Sequence, residues 1–250
     1  MPNRPVVLIT GAGRGIGAAA AKLAAGRGFD VAINYKSDET TASGVIAAVK
    51  SQGAAGLAIQ GDMGVEADVD RAFAAVDQQL GPLTHLVYNC GVTGRGSRLE
   101  DASSAMMRQV MEINVLGALW CVQRAIRRMS KKHGGQGGAI VLISSMAATL
   151  GGANEYVWYA ASKGAIESMT VGLSRELTQD GIRVNAVSPG MIDTGIHAAG
   201  GMPDRVARLG PTTPMGRPGQ PEEVAEGILF LLSEGASYIN GTILRVSGGR

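Results

Sequence analysis

The feature that most limits what this chain can fold into is a short apolar run ending in a glycine-rich turn. Val6-Val7-Leu8-Ile9 leads straight into Thr10-Gly11-Ala12-Gly13-Arg14-Gly15-Ile16-Gly17, and an alanine-rich stretch follows. An uninterrupted run of Val, Leu and Ile reads as a strand buried on both faces. The alanines suit a helix lying close against a sheet. Glycines between the two allow a tight turn and a close backbone approach by a phosphate. The helix N-terminus adds free N–H groups and the positive end of its dipole. This strand, turn and helix therefore predict a parallel α/β sheet with a dinucleotide cradle at its edge.

The same alternation continues along the chain. Apolar runs predict strands over 5–10, 30–35, 56–60, 84–88, 139–143, 182–188 and 241–246. Amphipathic or alanine-rich stretches predict helices over 15–27, 39–52, 66–80, 103–132, 157–179 and 221–233. Such βαβ repetition implies an α/β fold, a Rossmann-type doubly wound parallel sheet of about seven strands with helices on both faces. At 250 residues the chain fits one undivided domain over 1–250. The Gly/Pro-rich stretch 195–220 is long for a compact domain and reads as a substrate loop. Its Gly200-Gly201, Pro203, Pro211, Pro214 and Pro218 argue against one long helix there.

Bulk properties exclude several classes of function. A formal net charge of +2 offers no basis for binding nucleic acid or a membrane surface. No apolar run is long enough to span a bilayer, and no basic start leads into a signal-like stretch. Cys90 and Cys121 stand apart without a CxxC pattern and read as reduced thiols of a cytoplasmic protein. No His, Cys or Asp cluster has ligand spacing, and His85, His133 and His197 are scattered, so no metal is expected.

A second informative segment lies far downstream. Tyr159-Ala160-Ala161-Ser162-Lys163 follows Ser144-Ser145. Four residues apart, Tyr159 and Lys163 share one helix face. A free tyrosine titrates near 10, and a neighbouring ammonium favours its phenolate, so a lowered Tyr159 pKa is expected. Ser145 follows the apolar run Ile140-Val141-Leu142-Ile143, which places it at the carboxyl edge of a sheet, where open α/β folds bind ligands. Its hydroxyl can stabilise charge developing on a substrate oxygen. Ser144 is the adjacent alternative. Together the two segments imply hydride transfer between a nicotinamide and a carbonyl or alcohol.

The glycine spacing is Gly-x-x-x-Gly-x-Gly, with Thr10 before it. Further along come Asn89-Cys90-Gly91, Asn114, Ser145, the Tyr159/Lys163 pair and Ser188-Pro189-Gly190. In order and spacing this series resembles the short-chain dehydrogenase/reductase family over nearly the whole chain. The resemblance implies a catalytic set of Asn114, Ser145, Tyr159 and Lys163, with Asn114 holding a water that links Lys163 to solvent. It implies cofactor contacts from Gly11, Arg14, Gly15, Ile16 and Gly17 at the pyrophosphate. Asn34, Tyr35, Lys36 and Ser37 would lie at the ribose, and Asp62 and Met63 near the adenine. Asn89, Gly91, Tyr159, Lys163, Pro189, Gly190, Ile192 and Thr194 would complete the site toward the nicotinamide. Cys90 stands where the family commonly has Ala. The family plan also implies a homotetramer built on two faces, one from the last strand and the helix before it, the other from the long helices at 103–132 and 157–179.

Cofactor and substrate choice are read from fewer residues. The second predicted strand ends Asn34-Tyr35-Lys36-Ser37, with no carboxylate before Asp38. Arg14 and Lys36 could meet a 2′-phosphate, which favours NADP(H) over NAD(H). Thr93, Ala147, Asn154, Trp158, Gly190 and the 195–215 loop are expected to line a pocket for a small carbonyl or alcohol substrate. The plan is similar to 3-oxoacyl-carrier-protein reductases, for which Arg127, Arg128, Lys131 and Lys132 could meet an acidic carrier. It is also similar to glucose 1-dehydrogenases. A non-catalytic dinucleotide sensor is the reading from a different class, and the intact Asn114/Ser145/Tyr159/Lys163 set argues against it.

Overall fold

The computed structural model describes residues 4–250. Its strands are β1 (Val6–Ile9), β2 (Asp30–Tyr35), β3 (Gly56–Gln60), β4 (Leu83–Tyr88), β5 (Gly138–Ile143), β6 (Ile182–Pro189) and β7 (Ile243–Val246). They form one parallel sheet in the order β3-β2-β1-β4-β5-β6-β7. The main helices are α1 (Gly15–Gly26), α2 (Glu39–Lys50), α3 (Glu66–Gln79), α4 (Ser104–Met111) and α5 (Gly117–Met129). After β5 come the short α6 (Ala147–Leu150), the long α7 (Val157–Glu176), the short α8 (Ile196–Ala199) and α9 (Arg205–Leu209), and α10 (Pro221–Leu232). All seven strands and the fold class match the sequence-based expectation.

Alternation within β1 explains the two layers. Val7 and Ile9 face one core with α1, α2 and α10, whereas Val6 and Leu8 face the other with α3, α5 and α7. Fully buried Ala20, Ala21 and Ala24 let α1 lie directly against both the sheet and α10. From β1 the chain proceeds outward to β2 and β3, then returns to start again at β4 on the other side. That reversal opens a crevice at the carboxyl ends of β1 and β4.

The helix predicted over 103–132 is not continuous. A π-helical turn occupies Glu112–Leu116 between α4 and α5. Its extra residue per turn accommodates Asn114, whose side chain is drawn toward Val92 and Ser162. Gly117 then lets the backbone pass close to the Tyr88 hydroxyl and the Met63 backbone. The helix stops at Met129 because Ser130 turns extended and its hydroxyl accepts a bond from the Lys132 N–H, starting a separate 3₁₀ turn. Arg128 is bound to Asp77 and lies over Phe73, which leaves Arg127, Lys131 and Lys132 as the exposed cations of that end. The proline-rich 195–220 stretch holds only α8, α9 and a 3₁₀ turn at Gly210–Thr212, as its composition requires. Among the described residues no helix is long and apolar enough to cross a membrane.

His85 sits near the start of β4, with Thr84 Oγ1 2.8 Å from its Nδ1 and the Phe29 ring edge-on at 5.0 Å. Burial pushes its pKa down from 6.5 to about 4. Between those values the unfolded chain binds a proton that the folded chain refuses, so stability falls as pH falls. The expected slope is up to about 1.4 kcal/mol per pH unit through that window, with no contribution above it. Urea unfolding from about pH 7 down to about pH 5 reads this slope, and His85→Gln is expected to flatten it.

Candidate active site

The crevice edge is held together by three polar side chains. Thr10 is fully buried, and its hydroxyl accepts from the backbone N–H groups of Asn89 at 3.0 Å and Cys90 at 3.1 Å. The Asn89 amide donates back to the carbonyls of Thr10 and Gly11. Asn34 accepts from the Gly11 N–H at 3.2 Å and donates to the Gly61 carbonyl at 2.8 Å. These bonds fasten the ends of β1, β2, β3 and β4 to one another. Asn34 lines the cleft as expected, but its amide is committed to this frame.

Gly11 and Gly15 have φ of +61° and +57°, a region that side chains with a Cβ rarely adopt. Arg14 stands at the N-cap of α1 without a side-chain cap, so the first-turn N–H groups face the cleft unclaimed by a capping side chain. That open helix end, behind glycines that keep the approach clear, fits a dinucleotide pyrophosphate. Gly17 differs from the expectation: it does not line the cleft. A Cβ there would lie 2.6 Å from Asn89 Nδ2 and 2.8 Å from Ala12 Cα, so its smallness serves close packing of α1 behind the turn.

The cleft has a volume of about 920 Å³ and runs from this turn to Tyr159. Gly11, Arg14, Gly15 and Ile16 line it at the turn, and Tyr35, Lys36 and Ser37 at the end of β2. Asp62, Met63, Asn89 and Gly91 lie along its middle, with Pro189, Gly190, Ile192 and Thr194 on the opposite wall. Thr194 Cγ2 is 3.5 Å from where a Cβ on Gly15 would stand, so that wall closes onto the glycine turn. Lys36 is not a free cation: its Nζ is 2.6 Å from Asp62 Oδ2. Asp38 also borders the cleft, and its carboxylate accepts from the Thr41 N–H at 3.0 Å, capping α2.

At the other end Ser145, Tyr159 and Lys163 line the same cavity. The geometry separates the two serines. Ser144 is buried, and its hydroxyl lies 2.9 Å from Glu167 Oε1 and 3.3 Å from the Lys163 carbonyl. Ser145 accepts from the Ala147 N–H at 3.1 Å and stands close enough to Tyr159 to favour its ionised form. Burial pushes Tyr159 up to about 12, and Ser145 opposes the rise only in part. The lowered pKa expected from the sequence is therefore corrected: desolvation of the phenolate outweighs any help from Lys163. Lys163 Nζ lies 5.7 Å from the Tyr159 ring centroid and donates to the Ile143 carbonyl at 2.7 Å. Burial pushes Lys163 down to about 8.

Asn114 does not line the cleft. It is fully buried behind it, donating to the Val92 carbonyl and the Ser162 hydroxyl and accepting from the Val92 N–H. Ser162 in turn donates to the Tyr159 carbonyl at 2.7 Å. Asn114 thus braces the helix turn that carries Tyr159 and Lys163. A Cβ on Gly91 would lie 3.2 Å from Lys163 Nζ and 3.6 Å from Asn114 Oδ1, so Gly91 leaves room where these groups converge.

Of the expected substrate pocket, Thr93, Ala147 and Gly190 line the cleft, whereas Trp158 and Asn154 do not. Trp158 is buried and donates from its indole N–H to the Thr93 carbonyl at 2.7 Å. Asn154 sits at φ +61° in the turn before α7. The expected 195–215 loop contributes Gly195, Ile196, His197, Ala199 and Arg205 to the cleft, whereas sequence reasoning missed Glu155, Tyr156 and Arg250, which also line it. The nearness of Glu155 and Tyr156 to Tyr159 was a usable signal. Arg250 is brought in by tertiary folding alone. Among the described residues no group of three or more His, Cys, Asp or Glu could hold a metal ion.

The family model described as "Enoyl-(Acyl carrier protein) reductase" matches residues 11–250. An uncharacterized oxidoreductase of Escherichia coli (strain K12) is 44% identical over 245 residues, covering 98% of this chain and 99% of that protein. Among solved structures, a blue fluorescent protein from a metagenomic library, in complex with NADPH, superposes with a TM-score of 0.89 at 33% identity. The match covers 99% of this chain and 98% of the other. A 3-ketoacyl-(acyl-carrier-protein) reductase from Brucella melitensis, complexed with NADH, gives a TM-score of 0.90 at 32% identity over 98% of each chain.

Gly17→Ala is expected to force Asn89 and the glycine turn apart. The expected cost is about 1–3 kcal/mol of stability, accompanied by weaker dinucleotide binding. Urea unfolding and fluorescence titration with NADPH measure the two effects.

Proposed function

The chain belongs to the short-chain dehydrogenase/reductase family, oxidoreductases acting on alcohol and carbonyl groups, and from that premise we propose that Ser145, Tyr159 and Lys163 carry its chemistry. The observation that supports this most is that all three open into the one cleft that also holds the glycine turn. A nicotinamide dinucleotide, when bound, supplies or accepts the hydride. Gly11, Gly15 and the N-terminus of α1 would hold its pyrophosphate, and Ile192 and Thr194 its nicotinamide end.

In the reductive direction the Tyr159 hydroxyl gives its proton to the carbonyl oxygen, and Ser145 donates a hydrogen bond to the same atom. A pKa held up at about 12 keeps Tyr159 protonated and ready as an acid. Lys163, protonated below about 8, provides the nearby positive charge that favours the phenolate left behind. Asn114 acts through Ser162 to hold the Tyr159–Lys163 turn in place. The two N–H groups of the Asn114 amide are spent on Val92 and Ser162, which leaves the second lone pair of its Oδ1, or its backbone, to take part in any water relay.

For the cofactor the reading is NADP(H), with NAD(H) as the alternative. Arg14 and Lys36 border the end of β2, and Asp38, the nearest carboxylate in sequence, is turned to cap α2. Asp62 shares Lys36, which moderates the preference. The 195–220 segment serves as the substrate loop of a single domain. A homotetramer is proposed from exposed apolar residues on two faces, Leu116 and Leu119 beside α5 and Phe230 with Tyr238 near β7. The cytoplasm is the proposed compartment, in keeping with two free thiols.

Tyr159→Phe is expected to lower kcat by roughly a thousandfold while NADPH affinity stays near the parent value. Steady-state assay on a panel of ketones, β-ketoacyl thioesters and sugars, with a parallel binding titration, measures both. NADPH is expected to exceed NADH by roughly tenfold in kcat/KM, and Lys36→Ala to shrink that ratio. Equal use of both cofactors by the parent enzyme would contradict the NADP(H) reading.

A further inference from the structure

The substrate end of the cleft contains an arginine that is buried and incompletely bonded. Arg205, the first residue of α9, is 4% exposed and lines the cleft. One terminal nitrogen is paired with Glu155 and lies 3.7 Å from the Met202 sulfur; the other donates to the Tyr156 hydroxyl. The guanidinium carbon stands 5.0 Å from the Tyr156 ring centroid. Its Nε is buried and has no hydrogen-bond partner among the described residues. The Tyr156 ring meets the Tyr159 ring edge-on at 5.4 Å, so Arg205 is one aromatic ring away from the proton-transfer residue.

The charge around this end is unbalanced. Arg95 and Arg250 also line the cleft, and both are exposed. Gly201 brings the loop before α9 against Arg95, and the C-terminal tail packs on the stretch after α9 through Gly248 and Met215. Three guanidiniums from separate stretches of chain thus line this cleft, with Arg205 and Arg250 both close enough to act on Tyr156, against the carboxylates of Glu155 and, beside His197, Asp193. His197 adds no positive charge at neutral pH, because burial holds its pKa below the usual value. A buried guanidinium donor without an acceptor is costly, and a planar guanidinium fork matches a carboxylate.

We propose that this end of the cleft receives a carboxylate carried by the substrate, selected by Arg205 and drawn in by Arg95 and Arg250. The proposal rests on the oxidoreductase reading of the cleft and narrows its substrates to oxo acids and the corresponding hydroxy acids. The carboxylate is a handle and takes no part in bond making. The separate carbonyl gains a hydride at carbon and a proton at oxygen. Glu155 and Tyr156 fix the guanidinium plane, and Glu155, its side chain 30% exposed, can share that cation with the incoming anion.

The test uses straight-chain oxo acids of graded length, each paired with its methyl ester, assayed with NADPH-saturated enzyme. At the best length the acid is expected to exceed its ester in kcat/KM by about tenfold or more. Arg205→Gln is expected to bring this acid-to-ester ratio close to unity, and a thermal melt reports whether the variant folds. Arg95→Ala and Arg250→Ala, at exposed positions, are expected to lower the ratio about two- to fivefold and weaken its salt dependence. Esters used as well as acids at every length would overturn the carboxylate site and leave the oxidoreductase reading standing. A ratio unchanged in all three variants would overturn it too, leaving Arg205 as a clamp between the loop and α7. If neither acids nor esters turn over, calorimetric titration of the acids decides. Binding lost in Arg205→Gln upholds the site and moves the fault to the catalytic assignment, whereas absence of binding overturns the site.

Discussion

The site depends on how four strand ends are fastened where the sheet reverses direction. A parallel sheet whose order runs outward from β1 and then restarts at β4 has a natural crevice beyond the carboxyl ends of those paired strands, where their connections leave in opposite directions. Thr10 and Asn89 bridge that crevice edge with hydrogen bonds in both directions, and Asn34 extends the bridge to the end of β3. The groups are mostly backbone donors and acceptors that a buried loop would otherwise leave unmet. Their satisfaction keeps the glycine turn at one edge of the cleft and the loop after β4 at its floor. The cleft is thus a by-product of topology, made rigid by three small polar side chains.

The buried proton-transfer group illustrates a tension within one helix turn. The enclosure that keeps water from Tyr159 and Lys163 also penalises the charged form of each. It pushes the phenol up to about 12 and the ammonium down to about 8. Ser145 offsets part of the penalty on the tyrosine. Within the chain itself Lys163 is directed to the Ile143 carbonyl, which fixes the ammonium at the base of the cleft. Charge stabilisation here is a balance among burial, hydrogen bonding and distance, and the four-residue spacing alone does not decide it.

Most of the fold was legible because its signals are local. Apolar runs mark every strand, and the prolines of 195–220 rule out a long helix. Residues whose role depends on distant partners were harder to place. Gly17 belongs to the recognisable glycine pattern, yet its neighbours Asn89 and Ala12 make it a packing position. Asn114 is polar in an apolar stretch, which signalled a special role, but only the fold reveals Ser162 and Val92 as its partners. Trp158 looked like a pocket wall, whereas its indole is turned inward to Thr93. Arg205 was legible only as part of the Gly/Pro-rich loop, and Arg250 carries no local signature, since it reaches the cleft only after the tail folds back over it.

The π-helical turn at Glu112–Leu116 has a consequence for the phase of the helix that follows. Each residue in an α-helix advances the side-chain direction by about 100°, so one extra residue rotates everything downstream by that amount. The buried stripe of Ala118, Cys121, Val122 and Ala125 faces the sheet only because that rotation has been added. The chain between Asn114 and Met129 is therefore set like a gear offset by one tooth. Shortening it by a single residue would turn the wet side of α5 inward, even though every residue of the stripe remained.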